Sequence, residues 1–184
     1  MEKRENQRVA LTKRLIKEAL TDLLETEGIH KISIRTLCET AGINRSTFYK
    51  YYGSQYDVLA EMEEDLLGSI RRALEVGKGD ENSTAEALEG ICAYLEKNIK
   101  TIRVLVGNNV DPEFPEKLFQ LPQIREILML RLGDRYNQES SRYIYLFVVN
   151  GSYHLLKQWV MAEDRCSFSE VALLIEEMMN RVCG

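Results

Sequence analysis

Residues 33–52 read SIRTLCETAGINRSTFYKYY, and the spacing within this stretch predicts two short helices joined at Gly42. Ser33 is a good N-cap, because its hydroxyl can satisfy a backbone N–H left open at a helix start. Ile34, Leu37 and Ala41 fall on one helical face, and the small Ala41 lets a second helix come close. Gly42 stands where the chain must leave the first helix, a place that suits positive φ. Ile43 fills the corner, and Asn44 is expected to cap the second helix. Phe48 and Tyr52, four residues apart, turn inward. Arg45, Ser46, Thr47, Tyr49 and Lys50 are left facing outward. Two helices so arranged form a helix-turn-helix, whose second helix lays its N-terminal end in the DNA major groove.

Working outward, every other segment carries a helical period and none alternates as a strand. In residues 9–27, Leu11, Leu15, Ala19 and Leu23 form a stripe with Ile16, Leu20 and Leu24 beside it, and Gly28 reads as the stop. Residues 55–76 carry Tyr56, Leu59, Met62, Leu66, Ile70 and Leu74. The polar GKGDENS at 77–83 reads as a linker. Helical spacing resumes over 84–106 at Leu88, Ile91, Leu95, Ile99 and Ile102. GNNVDPEFP at 107–115 reads as a loop, and Pro122 opens a helix near 123–136. A helix over 140–163 holds Tyr143, Ile144, Phe147, Val148, Gly151, Leu155 and Trp159. Ser167 or Ser169 caps the last helix, with Val171, Ala172, Ile175, Met178, Met179 and Val182 inward. The expected fold is all-α with roughly nine helices. It has a three-helix DNA-binding head over residues 1–54 and a larger helical body over 55–184.

The chain has 184 residues and a net charge of −5, an unpromising total for a DNA reader. The charge is segregated, however. Residues 1–55 hold ten Lys and Arg against seven Asp and Glu, net +3, and residues 56–184 are net −8. Phosphate contacts need local positive charge, not a basic whole protein. Lys3, Arg4, Arg8, Lys13 and Arg14 add to this basic head. No stretch approaches a membrane span, and no signal-peptide core follows the charged start, so a cytoplasmic protein is expected. Cys38, Cys92, Cys166 and Cys183 are far apart and form no CxxC pair. Buried free thiols are expected, with no metal site and no cofactor. Paired catalytic carboxylates, a phosphate loop and a nucleophile elbow are all missing. GSYH at 151–154 lacks the strand-turn-helix setting of a nucleophilic serine, so an enzyme is not expected.

The segment from about Thr12 to Leu59 resembles the DNA-binding domain of the TetR family of transcriptional regulators. The resemblance rests on Gly28, Ala41-Gly42-Ile43, Thr47-Phe48-Tyr49, Tyr52, and Gly53-Ser54 before Tyr56. It departs at Gln55, where the family usually has a lysine on a phosphate, and one backbone contact is expected to be weaker. The resemblance covers roughly the first third of the chain. It implies a homodimer whose last two helices pair across a two-fold axis, a palindromic operator in double-stranded DNA, and a repressor released by a small-molecule effector. The alternative is a ligand-independent regulator or an activator whose helical body binds a partner protein.

DNA contacts are expected at Arg35, Thr36, Asn44, Arg45, Ser46, Thr47, Tyr49, Lys50 and Tyr51. Arg45 and Lys50 suit guanine edges or phosphates, and Thr47 suits a thymine methyl or a phosphate. Tyr49, placed as in the family, would hydrogen-bond a phosphate. An effector pocket is expected among Met62, Leu66, Tyr94, Leu95, Arg103, Met129, Tyr136, Tyr143, Phe147, His154 and Trp159, although such aromatic and Met stripes are also ordinary core. Phe147, Gly151, Leu155, Ile175 and Met179 form the candidate dimer face. Two heads about 34–36 Å apart would read both halves of a palindrome.

Overall fold

A helix forms over the first segment, but it starts at Glu2 rather than at residue 9, and its buried stripe is displaced from the one the spacing favours. The computed structural model describes residues 2–76, 90–91, 93–107, 110–133 and 135–183, the side chains at 2–4, 76, 131 and 183 aside. The expected linker at 77–83, Leu88 and Cys92 lie outside the described residues. Among the described residues all regular structure is helical, with no strand. By contacts the chain divides into two units, Met1–Leu66 and Leu67–Gly184.

In the first unit, α1 spans Glu2–Leu24. It buries Ile16, Ala19, Leu20, Thr21 and Leu24, whereas Leu11 is 48% exposed. The stripe through positions 16, 20 and 24 faces the core, because α1 packs along α2 on that side. The helix stops at Leu24, with Thr26 N and Glu27 N donating to Leu23 O at 3.1 Å each. Gly28 therefore does not end it. Its φ of −71° is ordinary, and it precedes a 3-10 turn at Ile29–Lys31. Two short helices follow, α2 at Ile34–Ala41 and α3 at Arg45–Phe48. A long α4 spans Gln55–Val76 and contributes to both units. Its first turns bury Val58, Leu59 and Met62, while Tyr56 is half exposed.

The second unit departs more from the sequence pattern. The expected helix over 84–106 is broken. Helical residues between 90 and 97 (α5) end at Asn98, whose side chain donates to Tyr94 O at 2.8 Å. After α6, Ile99–Ile102, the chain widens into a π-helical segment, Arg103–Gly107, that buries Val104, Leu105 and Val106. The expected loop at 107–115 is shorter than read. Phe114 is fully buried and opens α7, Phe114–Phe119, with Pro115 in the first turn, where its missing N–H costs nothing. Helix α8, Pro122–Leu132, stops short of 136 because Gly133 takes φ 53°. Helix α9, Gln138–Met161, is capped by Asn137, which accepts from Ser140 N at 2.8 Å.

Ser167, rather than Ser169, caps α10, Phe168–Cys183. Ser167 N donates to Glu170 Oε2 at 2.8 Å, and Glu170 N donates back to Ser167 Oγ at 3.3 Å. This reciprocal pair is a capping box. Trp159 Nε1 donates to Cys166 O at 2.8 Å, and its ring meets Phe168 edge-on at 5.1 Å, fixing the α9–α10 junction. Leu128, Leu132, Val148 and Val149 form the centre of a core cluster against which Met179 and Val182 pack. Met178, expected inside, is 51% exposed. Of the expected buried thiols, Cys38 is buried and Cys166 is exposed.

Candidate nucleic-acid interface

The turn between α2 and α3 is built by local hydrogen bonds. Ser33 Oγ accepts from Thr36 N at 3.0 Å and starts α2. At the other end Gly42 adopts φ 65°, ψ 32°. Ile43 N donates to Cys38 O at 3.0 Å and Gly42 N to Glu39 O at 3.3 Å. The two bonds satisfy carbonyls that the helix end leaves open. Asn44 occupies the cap position of α3, yet its side chain makes no capping bond and is exposed.

Phe48 and Tyr52 hold α3 from behind, 0% and 4% exposed, with ring centroids 5.8 Å apart. Arg45, Ser46, Tyr49 and Lys50 are consequently exposed, Tyr49 by 58%. Thr47 and Tyr51 are half buried. Helix α3 is a single turn, but Lys50 N to Thr47 O (3.3 Å) and Tyr51 N to Phe48 O (2.9 Å) continue the coil through Tyr51. Among the described residues Arg45 and Lys50 form no ion pair. Arg35 is exposed and bound at 2.8 Å to Glu39, and Thr36 is half buried with its hydroxyl 2.8 Å from that of Ser33. Burial pushes the Cys38 thiol up, against the opposing charge of Arg45.

The support behind this surface was not legible as such. Gly53 N and Ser54 N donate to Asp57 Oδ2 at 2.8 and 3.0 Å, tying the turn before α4. Lys13 is held by Glu61 at 2.8 Å, and Lys17 by Glu61 and Asp65 at 2.7 and 2.5 Å. Lys13, expected to add to the positive charge of the head, is thus paired with Glu61. The acidic partners at positions 61 and 65 share a helix face at i,i+4, which is the signal that would have exposed the pairing. Gln55 Nε2 lies 3.5 Å from Ile29 O, turned back toward its own chain.

The second unit contains an apolar cavity of about 310 Å³ among α4, α5, α7, α8, α9 and α10. Of the expected pocket residues, Leu95 lines it; the others are placed elsewhere. Met62 and Leu66 are buried in the first unit. Arg103 donates to Val160 O at 3.1 Å, and Trp159 serves the α9–α10 junction. Tyr136 packs on the core cluster around Leu128, as does Met129, which also lines a wider open cleft with Arg125 and Arg142. Tyr94 is half buried, and Tyr143, Phe147 and His154 are exposed, with His154 Nδ1 2.9 Å from Asn150 O. Of the expected dimer residues, Phe147 and Gly151 are exposed and Leu155 is half buried. Ile175 and Met179 line the cavity instead.

Comparison with known proteins places this geometry. A family described as "Bacterial regulatory proteins, tetR family" matches residues 16–62, and one described as "Transcriptional regulator C-terminal region" matches residues 82–181. The activator of the dhaKLM operon, DhaS, from Lactococcus lactis is 34% identical over 55 residues, 30% of this chain and 29% of that protein. That match therefore spans less than a third of the curated relative. The nucleoid occlusion factor SlmA of Haemophilus ducreyi is 25% identical, across 77% of this chain and 86% of its own. Among solved structures, a TetR transcriptional regulator from Streptococcus agalactiae superposes with a TM-score of 0.68 at 21% identity, covering 97% of this chain and 99% of its own. The DhaS structure gives 0.59 at 17% identity, covering 91% and 93%. At these identities the structures speak to the fold alone.

Proposed function

This chain belongs to the TetR family of transcriptional regulators, and on that premise we propose that it is a homodimeric cytoplasmic repressor which a small-molecule effector releases from a palindromic operator. The head, residues 1–54, reads the DNA, and the body, residues 55–184, dimerises and senses. The observation that carries this reading is the exposure of Arg45, Ser46, Tyr49 and Lys50 on a short helix anchored by the buried Phe48 and Tyr52. Arg45 and Lys50 suit base edges in the major groove, and the Tyr49 hydroxyl suits a phosphate. Gln55 supplies no charge to the backbone. Binding to duplex DNA selected from a random pool, with Arg45→Ala as control, tests the reading.

An exposed apolar stripe supports the dimer. Tyr143, Phe147 and Gly151 are spaced four apart on α9, with Phe147 69% exposed. A Cβ at Gly151 would meet no atom within 4 Å, leaving room for a close helix. On α10 the exposed large apolar residues are Leu173, Leu174 and Met178. Such faces are covered most simply by a second copy across a two-fold axis. Since Ile175 and Met179 face the cavity, the α10 part of the dimer face lies one position round, at Leu174 and Met178.

Helix α4 carries Ile70 and Leu74 on the cavity and Val58 and Leu59 in the head core. A ligand that prefers one setting of α4 changes operator affinity by its differential affinity for the two settings, and by no more. One observation favours a second reading: two relatives bear the names of an operon activator and a nucleoid occlusion factor. In that reading the body binds a partner protein and the sign of regulation is reversed or set by the partner. In vitro transcription from the selected operator, with the purified chain alone, separates the two.

A further inference from the structure

The body cavity has a lining chemistry that narrows what it can hold. Resting on the reading of the body as the sensor, we propose that this cavity binds an uncharged, largely hydrocarbon molecule of about a dozen non-hydrogen atoms and rejects anions of the same size. Its volume of about 310 Å³ is roughly twice that of the ~150 Å³ apolar cavity known to accommodate benzene, which sets the ligand's size. The wall is built from aliphatic and aromatic side chains such as Leu74, Leu128, Val149 and Ile175. Among the described residues, only Ser152, Tyr153 and Glu176 bring polar side-chain atoms to it, and no Lys, Arg or His does.

Each of those three polar groups has a consequence. The Tyr153 hydroxyl is directed to Val106 O at 3.4 Å, so it is occupied by the fold. Ser152 leaves a hydroxyl on the ligand a hydrogen-bonding partner. An ionised ligand carboxylate drawn against this wall would find no cation among the described residues and would lie beside the like charge of Glu176, which is costly on both counts. A neutral ligand avoids both costs and gains from every methylene removed from water. The single Trp of the chain, Trp159, stacks edge-on against Phe168, which lines the cavity, and so reports its occupancy.

The test is a titration of the full chain with 1-decanol and with decanoate at pH 8, both below micellar concentration, followed by Trp159 fluorescence and melting temperature. The expected result is binding of 1-decanol at least about a hundredfold tighter than decanoate, given the burial of an unpaired charge. Ala172→Phe, which fills the wall from a half-buried position, is expected to abolish 1-decanol binding with an unchanged circular dichroism spectrum. Ser152→Phe serves the same purpose if the first variant does not fold. Equal affinity for the two compounds, or undiminished 1-decanol binding in a folded filled variant, would overturn the proposal. Operator affinity measured at saturating 1-decanol keeps the two readings apart. Binding without any change in operator affinity leaves the ligand class standing and removes the effector role.

Discussion

Lys17 Nζ lies 2.7 Å from Glu61 Oε1, and this contact joins the first helix of the head to the fourth. It belongs to a network, with Lys13 on the other Glu61 oxygen at 2.8 Å and Asp65 on Lys17 at 2.5 Å. Burial alone would raise the Glu61 carboxyl. The hydrogen bonds from Lys13 and Lys17 outweigh it and bring the group down to about 2. Burial likewise opposes the charge on Lys17, but Asp65 and Glu61 raise it above the ordinary lysine value. A network loses less side-chain freedom per contact than isolated surface pairs, which contribute little. The recognition surface is thus positioned from behind by charge as well as by Phe48 and Tyr52.

The folded value of Glu61 lies below the ordinary 4.5, so its contribution is present above that pH and lost as pH falls toward 2. The side chain is partly exposed, which limits the contribution to about 2 kcal/mol at most after screening. Glu61→Gln is expected to lower the melting temperature at pH 7, and the gap to wild type is expected to close between pH 5 and 2. Melting curves across that range check it; a gap that does not depend on pH would count against the network.

Gly42 sits at φ 65° with open space around the position of a Cβ. Gly42→Ala therefore adds backbone strain without a clash, a cost of about 1–2 kcal/mol. Gly42→Asn should cost less, since asparagine tolerates the left-handed region better. Urea midpoints of the three proteins are expected in the order glycine, asparagine, alanine.

Tyr49→Phe removes one phosphate donor and is expected to weaken binding to every DNA sequence alike. Arg45→Ala is expected to cost about 1–3 kcal/mol and also to relax preference at one base position. Salt titrations on matched and mismatched duplexes distinguish these outcomes. An unchanged affinity for Tyr49→Phe would remove its phosphate role.

Phe147→Glu places a charge in the centre of the exposed stripe of α9. Sedimentation velocity is expected to show a dimer for the wild type and a monomer for the variant at micromolar concentration, with the helical spectrum retained. A monomeric wild type would remove the dimer.

Legibility in the sequence followed locality. Ser33, Gly42, Phe48 and Tyr52 were readable because caps, left-handed turns and i,i+4 pairs depend on neighbours in the chain. The rotation of a helix about its own axis depends on tertiary packing. That is why Ile175 and Met179 face the cavity while Met178 is exposed, and why Leu11 lies outside the buried stripe of α1. Phe114 opens a helix that two prolines disguised as loop, and Asn98 breaks one that the apolar period carried through. Ten of the eleven candidate sensor residues lie away from the cavity for the same reason. Arg103, Trp159 and His154 each direct one side-chain nitrogen to a backbone carbonyl of the second unit.

The most direct test of the central claim is selection of duplex DNA from a random pool by the purified chain, followed by sequencing. A palindromic site is expected, its half-sites about 10–10.5 base pairs apart centre to centre or a multiple of this, with enrichment lost in Arg45→Ala. Absence of any enriched sequence, or the same enrichment from Arg45→Ala, would contradict the account.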